Sequence, residues 1–362
     1  MTIRQFRLYG PETSRATAPP PTEPGSPLGV PLSQRVRAAV LLTCGGLLAA
    51  AGPVLHFAVL PAVRVAPWDP DSTTTSVSIG DAHYLDPATG AAGAGQVTAV
   101  QHIQGDPVLG KREHLAVWTI TTRVDTPATI GLTDARLALS YTTNRWTFDR
   151  VTNTFVACCG ADTGPDADAY LKFPFHADAT SYQMWDPEAA RAFPAYLVGT
   201  RVLDGHTFNA YTQTIKPMRI GYVSVPPGLL GLTSKAATVQ AEEWYQNPQT
   251  LTLVDQETGT PVSQTSHEII TLRAPGALID KVTVLDADLR TTQDTEQQLV
   301  DQASGQAMGL SLLEGPVPWL VTGLGAVIAA VGVLRLRPRR GGAAAAEPDP
   351  AAEEQPAVPE GA

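Results

Sequence analysis

Residues 156–162 read VACCGAD, and Cys158 and Cys159 are two of only three cysteines in 362 residues. Adjacent thiols have three uses: a vicinal disulfide, free or intermolecularly paired thiols, or a redox or metal pair. A metal centre is poorly served. Neighbouring cysteines cannot supply tetrahedral geometry without further Cys or His ligands, and no CxxC exists. A vicinal bridge is strained, because adjacent Cα atoms lie only about 3.8 Å apart, and it closes almost no chain. Its effect would be to stiffen one loop. The choice among the three depends on the compartment, because disulfides persist only in an oxidising one.

Other residues capable of chemistry are scattered. His83, His102, His114, His176, His206 and His267 include no pair at a metal-ligand spacing such as HExxH. Asp162, Asp166 and Asp168 in DTGPDAD lack the ligand spacing and glycine of an EF-hand, so they read as a solvated acidic loop. Glu242 and Glu243 could act as paired carboxylates, but a surface pair beside Trp244 and Tyr245 is the commoner arrangement. No nucleophile elbow, phosphate loop or dinucleotide fingerprint appears. We therefore expect no catalytic residues, no metal and no cofactor. The net charge of −10, with no run of Lys and Arg interleaved with aromatics, excludes a nucleic-acid partner.

The elements that must position these residues begin with two apolar stretches. Ala38–Leu60 and Val317–Leu334 carry no formal charge, and roughly 20 apolar residues span a bilayer's hydrocarbon core. We expect transmembrane helices over 35–60 and 317–336; Pro53 and His56 weaken the first without excluding it. A cleaved signal fits poorly, because the preceding segment is long and apolar sequence continues past Cys44. Arg35 and Arg37 precede the first span, and Arg335, Arg337, Arg339 and Arg340 follow the second. The positive-inside rule then puts both termini in the cytoplasm and residues 61–316 outside a plasma membrane. Small residues at four-residue spacing, Gly45/Ala49, Gly46/Ala50 and Gly325/Ala329, offer faces for close helix approach.

Residues 1–34 are Pro-rich and 337–362 are rich in Ala, Pro and Glu; both read as disordered cytoplasmic tails. Between the spans the pattern is β. HLAVWTITTRV (114–124), LTDARLALSYTT (132–143), HTFNAYTQTI (206–215) and QTLTLVD (249–255) alternate or cluster β-branched and aromatic residues. DPATG (86–90), DRVTN (149–153) and DQETG (255–259) repeat one turn chemistry, an Asp that bonds the backbone ahead and a final residue that tolerates positive φ. The fold class expected is a mainly β, antiparallel, hairpin-rich extracytoplasmic domain flanked by two transmembrane α-helices. Short helices are expected around 186–197 and 292–310. With residue 158 outside, the vicinal disulfide Cys158–Cys159 becomes the favoured reading of the cysteine pair.

The segments VAPWD (65–69), ACCGAD (157–162), LKFPFHADATSYQMWD (171–186) and IGYVSVPPGLLGL (220–232), in this order and between two spans, resemble an actinobacterial membrane family of unknown function that is labelled porin PorA-like. The resemblance covers about residues 35–340. It departs from the family pattern in its long Pro-rich leader and at Met184, where an aromatic is usual. The resemblance implies an envelope protein with an extracytoplasmic β domain, near lipoglycan assembly or maturation; the family supplies no catalytic residues to carry over. The porin label sits badly with short, Thr-rich strands in a chain that also has two apolar helices. Phe173, Phe175, Tyr182, Trp185, Trp244 and Tyr245 are the residues expected to line an apolar cleft for an envelope lipid or to stack on its sugars, against the plainer expectation that they form the core. The function read from these observations is non-enzymatic binding or presentation of an envelope glycolipid, with the membrane and lipoglycan-biosynthetic proteins as partners; a pore and an envelope enzyme are the alternatives.

Overall fold

The structure, a computed structural model, describes residues 32–134, 137–162 and 168–337. The tails expected over 1–34 and 337–362 lie outside the described residues except at their innermost positions, and so does Asp166. The described residues divide into two compact units, one formed by 32–49 with 323–337 and the other falling within Ala50–Thr322.

Two apolar helices dominate the first unit. α1 is Leu32–Val54 and runs on through a π-helical turn, Leu55–Val59, into α2, Leu60–Val63. The π turn directly follows Pro53, whose missing N–H breaks the regular helical ladder. At the other end of the chain, α5 is Pro316–Leu336. Ser33–Val63 and the helical run Gln293–Leu336 are long and apolar enough to cross a membrane. Of the small-residue faces expected, one pair meets. A Cβ on Gly45 would lie 2.5 Å from the Ala329 nitrogen, and one on Gly325 would overlap the Ala49 backbone. Only glycine lets these backbones approach so closely. Gly46 faces open space instead.

The second unit is built on antiparallel strands: β1 Asp71–Ser78, β2 Ala82–Leu85, β3 Ala92–Gly95, β4 Thr98–Gly105, β5 Leu115–Asp125, β6 Ser140–Asp149, β7 Ser181–Asp186, β8 Arg191–Leu203, β9 His206–Val225, β10 Val239–Val254, β11 Pro261–Arg273 and β12 Val282–Thr291. Their order is β6-β5-β4-β1-β12-β11-β10-β9-β8-β7, with the β2–β3 hairpin attached to β12. Two short segments join the edge strands. Phe148 of β6 bridges Phe155, Thr154 bridges Tyr170, and Tyr170 bridges Met184 of β7. The sheet is therefore laced from edge to edge at this level. α3, Pro107–Glu113, caps the β4–β5 turn, and α4, Gln293–Glu314, lays Val300 and Ala303 against Phe208 and Val262.

The repeated Asp turn forms all three times. Asp86 Oδ1 accepts from Ala88 N at 2.8 Å, Asp149 Oδ1 from Thr152 N at 2.8 Å, and Asp255 Oδ1 from Thr258 N at 2.8 Å. Gly90, Asn153 and Gly259 close the turns with φ of 68°, 62° and 64°. Cys158 and Cys159 are joined as a vicinal disulfide. Beside it, Asp162 is zipped to β6, its carboxylate accepting from Arg145 N at 2.6 Å while its own N donates to Arg145 O at 2.9 Å.

Three local expectations change. The strand expected over 132–143 begins only at Ser140; turns fill the described residues before it. The helix expected around 186–197 is instead a hairpin corner followed by β8. Asp186 Oδ1 caps Ala189 N at 2.7 Å, and Ala190 turns the chain with φ of 48°. That local bonding outcompetes the helical propensity of PEAARA. β9 and β10 run well past the expected 206–215 and 249–255, through Pro217 and Pro248, because register shifts around Asn247 absorb the missing donors. The helix expected over 292–310 is present as α4.

Candidate functional site

Two neighbouring residues of β10, Glu242 and Glu243, open onto different chemistry because successive side chains in a strand point to opposite faces. On the outward face, Glu242 accepts from Trp244 Nε1 at 3.1 Å and from Gly276 N at 3.2 Å, with Arg219 Nη1 at 3.5 Å. The Gly276 N–H first, then the Trp244 N–H, holds the carboxyl below the usual range. Arg273 lies 3.9 Å from the centre of the Trp244 ring and bonds Asp280 at 2.6 Å. Arg219 lies 4.8 Å from the Tyr222 ring, and Tyr222 is 57% exposed. Cross-strand register fixes this group: Trp244 stands opposite Arg219 and Thr271, while Glu242 stands opposite Tyr222 and Arg273. The result is an aromatic patch framed by two arginines and two carboxylates, suited to flat polar rings.

On the inward face Glu243 shares the side of Ala241 and Tyr245. Four carboxyls gather here with no paired cation among the described residues: Asp186, Glu188, Glu243 and Glu268. Tyr245, only 2% exposed, donates to Asp186 Oδ2 at 3.2 Å, and Ser266 Oγ donates to Glu268 Oε1 at 3.1 Å. Burial pushes all four carboxyls up. Glu188 reaches about 7, through burial and then through the charges of Glu268, Asp186 and Glu243. Such a group holds a proton near neutral pH, as like charges in a poorly hydrated place must. Glu242 is thus not the surface carboxylate expected; it is buried within its bonds.

The six aromatics singled out in the sequence do not share one place. Phe173 and Tyr182 meet with ring centres 5.7 Å apart, and both contact Tyr211. Phe175 lies 4.8 Å beneath Lys172 Nζ. Burial lowers Lys172 to about 7, and its ammonium is bonded to the carbonyls of Phe173 and Thr258. Trp185 belongs to a separate cluster with Trp118 and Phe148, and Tyr245 to another with Ile215. Trp244 and Phe175 are half-buried and lie outside these clusters. Arg219, Tyr222 and Arg273, which the sequence reading did not single out, surround Trp244; the signal was the alternation through β9–β11 once paired in register.

A third group lies where the Asp255 turn meets the end of α4. His176 Nδ1 is 3.3 Å from Glu257 Oε2, and its Nε2 is 3.8 Å from Glu314 Oε1. Arg64 Nη2 pairs with Glu314 Oε2 at 3.0 Å. These residues are distant in sequence, and no local spacing signals them.

A hairpin-rich sheet carried between two apolar helices defines a membrane-associated protein with a β domain. The family model for porin PorA matches residues 37–334, and the chain belongs to that family. No curated protein matches it.

Proposed function

We propose that this is a non-enzymatic, two-pass plasma-membrane protein with both termini in the cytoplasm, whose extracytoplasmic sheet binds the sugar portion of an envelope glycolipid and presents it to lipoglycan-biosynthetic proteins. The observation that carries the reading is the outward patch of Trp244, Tyr222, Arg219 and Arg273, bordered by Glu242 and Asp280. An indole and a phenol ring supply stacking surfaces, and the arginines and carboxylates supply donors and acceptors for hydroxyls. Of the six residues first considered as a cleft, Trp244 is the one the reading retains as a contact; Phe173, Tyr182, Trp185 and Tyr245 fill the core. Conduction, which the family's name carries, would need a wetted path. Aromatic and aliphatic clusters pack against the sheet, the inward carboxyls around Tyr245 are largely buried, and the helices meet backbone to backbone at Gly45 and Gly325.

The test is native mass spectrometry of the full chain, extracted in mild detergent from an actinobacterial host. Extra mass in the glycolipid range, lost in both Trp244→Ala and Tyr222→Ala, supports the proposal. A bare wild-type mass, or cargo retained by both variants, rejects it.

A further inference from the structure

We propose that His176, Glu257 and Glu314 form a binding site for a divalent transition ion of the zinc class. One ligand atom from each lies within 4.8 Å of the others. An imidazole nitrogen with two carboxylate oxygens is a borderline donor set that suits zinc, and three protein ligands leave an open position. Zinc–ligand distances of about 2.0–2.2 Å require the three side chains to draw in, with the imidazole presenting one nitrogen to both carboxylates.

Independent observations point the same way. Glu257 Oε2 is itself sealed from solvent and makes no well-aligned hydrogen bond, with only His176 Nδ1 near it at 3.3 Å among the described residues, and a carboxylate oxygen so placed gains from a cation. The other oxygen of Glu314 is held by Arg64, which aims Oε1 toward His176 as outer-shell partners of metal ligands do. The backbone is already set: His176 N donates to Glu257 O at 3.3 Å and Ala177 N to Gln256 O at 2.8 Å, so the loop carrying the imidazole is laced to the turn carrying the carboxylate. Two carboxylates and one guanidinium leave one negative charge for the ion to meet. The site joins three segments, the 171–180 loop, the β10–β11 turn and the end of α4, and an ion there would pin them together.

The experiment is calorimetric titration of zinc chloride into the chelator-stripped full chain in detergent at pH 7.5, above the ordinary imidazole pKa of about 6.5. We expect one equivalent to bind. Affinity should fall at least tenfold in His176→Ala and in the isosteric Glu257→Gln, and be unchanged in His267→Ala, a histidine paired with Asp286 elsewhere on the sheet. X-ray absorption of the zinc-loaded wild-type chain should give a shell of one imidazole nitrogen with carboxylate and water oxygens, a readout that needs no variant. Absence of binding, binding undiminished in Glu257→Gln, or a shell with several imidazoles overturns the proposal. An imidazolium bridging two carboxylates without metal would appear as the first of these outcomes. Neither result bears on Trp244.

Discussion

Glu242 and Glu243 are the same residue type, one peptide apart, on the same strand, and they experience opposite environments. Glu242 is met by an indole N–H, a backbone N–H and a guanidinium, and ionises more readily than a free carboxyl. Glu243 is met by burial alone and ionises less readily. What separates them is the pleat, which sends one side chain to a face lined with arginines and the other to a face where carboxyls gather around Tyr245. The two faces of β10 therefore hold their charges by different means. The outward face neutralises them with partners, and on the inward face burial makes the carboxyls harder to ionise.

The largest disturbance of this contrast should come from Tyr245→Ala, which removes a fully buried ring from the inward face and the donor to Asp186. A loss of about 3–5 kcal/mol is expected, measurable by urea unfolding of the full chain followed by tryptophan fluorescence. Tyr245→Phe keeps the ring and removes only the donor; about 1–3 kcal/mol should be lost, and a value near zero would mean Asp186 does not rely on that bond. Glu188→Gln tests the proton. Because the folded carboxyl sits at about 7 and the unfolded one near 4.5, the folded state binds more protons between those values, so wild-type stability falls as pH rises through that window. The variant should flatten that slope and gain on the order of 1–2 kcal/mol at pH 8, after allowing for partial solvation; a slope unchanged by the substitution would place the proton elsewhere. The smallest effects should come from the paired substitutions that define the comparison. At pH 7.5, Glu242→Gln should lower the melting temperature slightly and Glu243→Gln raise it slightly, and shifts of the same sign would erase the distinction.

The contrast also marks how far the sequence could be read. The two apolar helices follow from hydropathy alone, and the three Asp turns from chemistry contained within five residues each. The antiparallel class followed from those turns and the period-two segments. The placement of the aromatics did not follow, because Trp244 and Tyr245 fall on opposite faces and only the strand's register decides which is inward. Around β10 that register shifts three times against β9, so counting by twos from the sequence fails there. Glu243 did carry a signal: it alternates with Ala241 and Tyr245, a carboxyl at a position where an apolar residue belongs. The His176 group had none, because a loop, a turn and a helix end meet only after the sheet has formed. PEAARA showed the converse limit, where good helix formers yielded to an aspartate that bonds the backbone three residues ahead.

The position of β12 sets the order in which the molecule can be assembled. It is the last strand in the chain, yet it lies in the interior of the sheet, paired with β11 on one side and with β1 and β2 on the other. Until Val282–Thr291 is in place, β1 and β11 have no strand between them, and each waits with a bare edge on that side. Contacts of such long sequence separation form slowly. Closure of the sheet between β1 and β11 is thus expected to be a late step in folding.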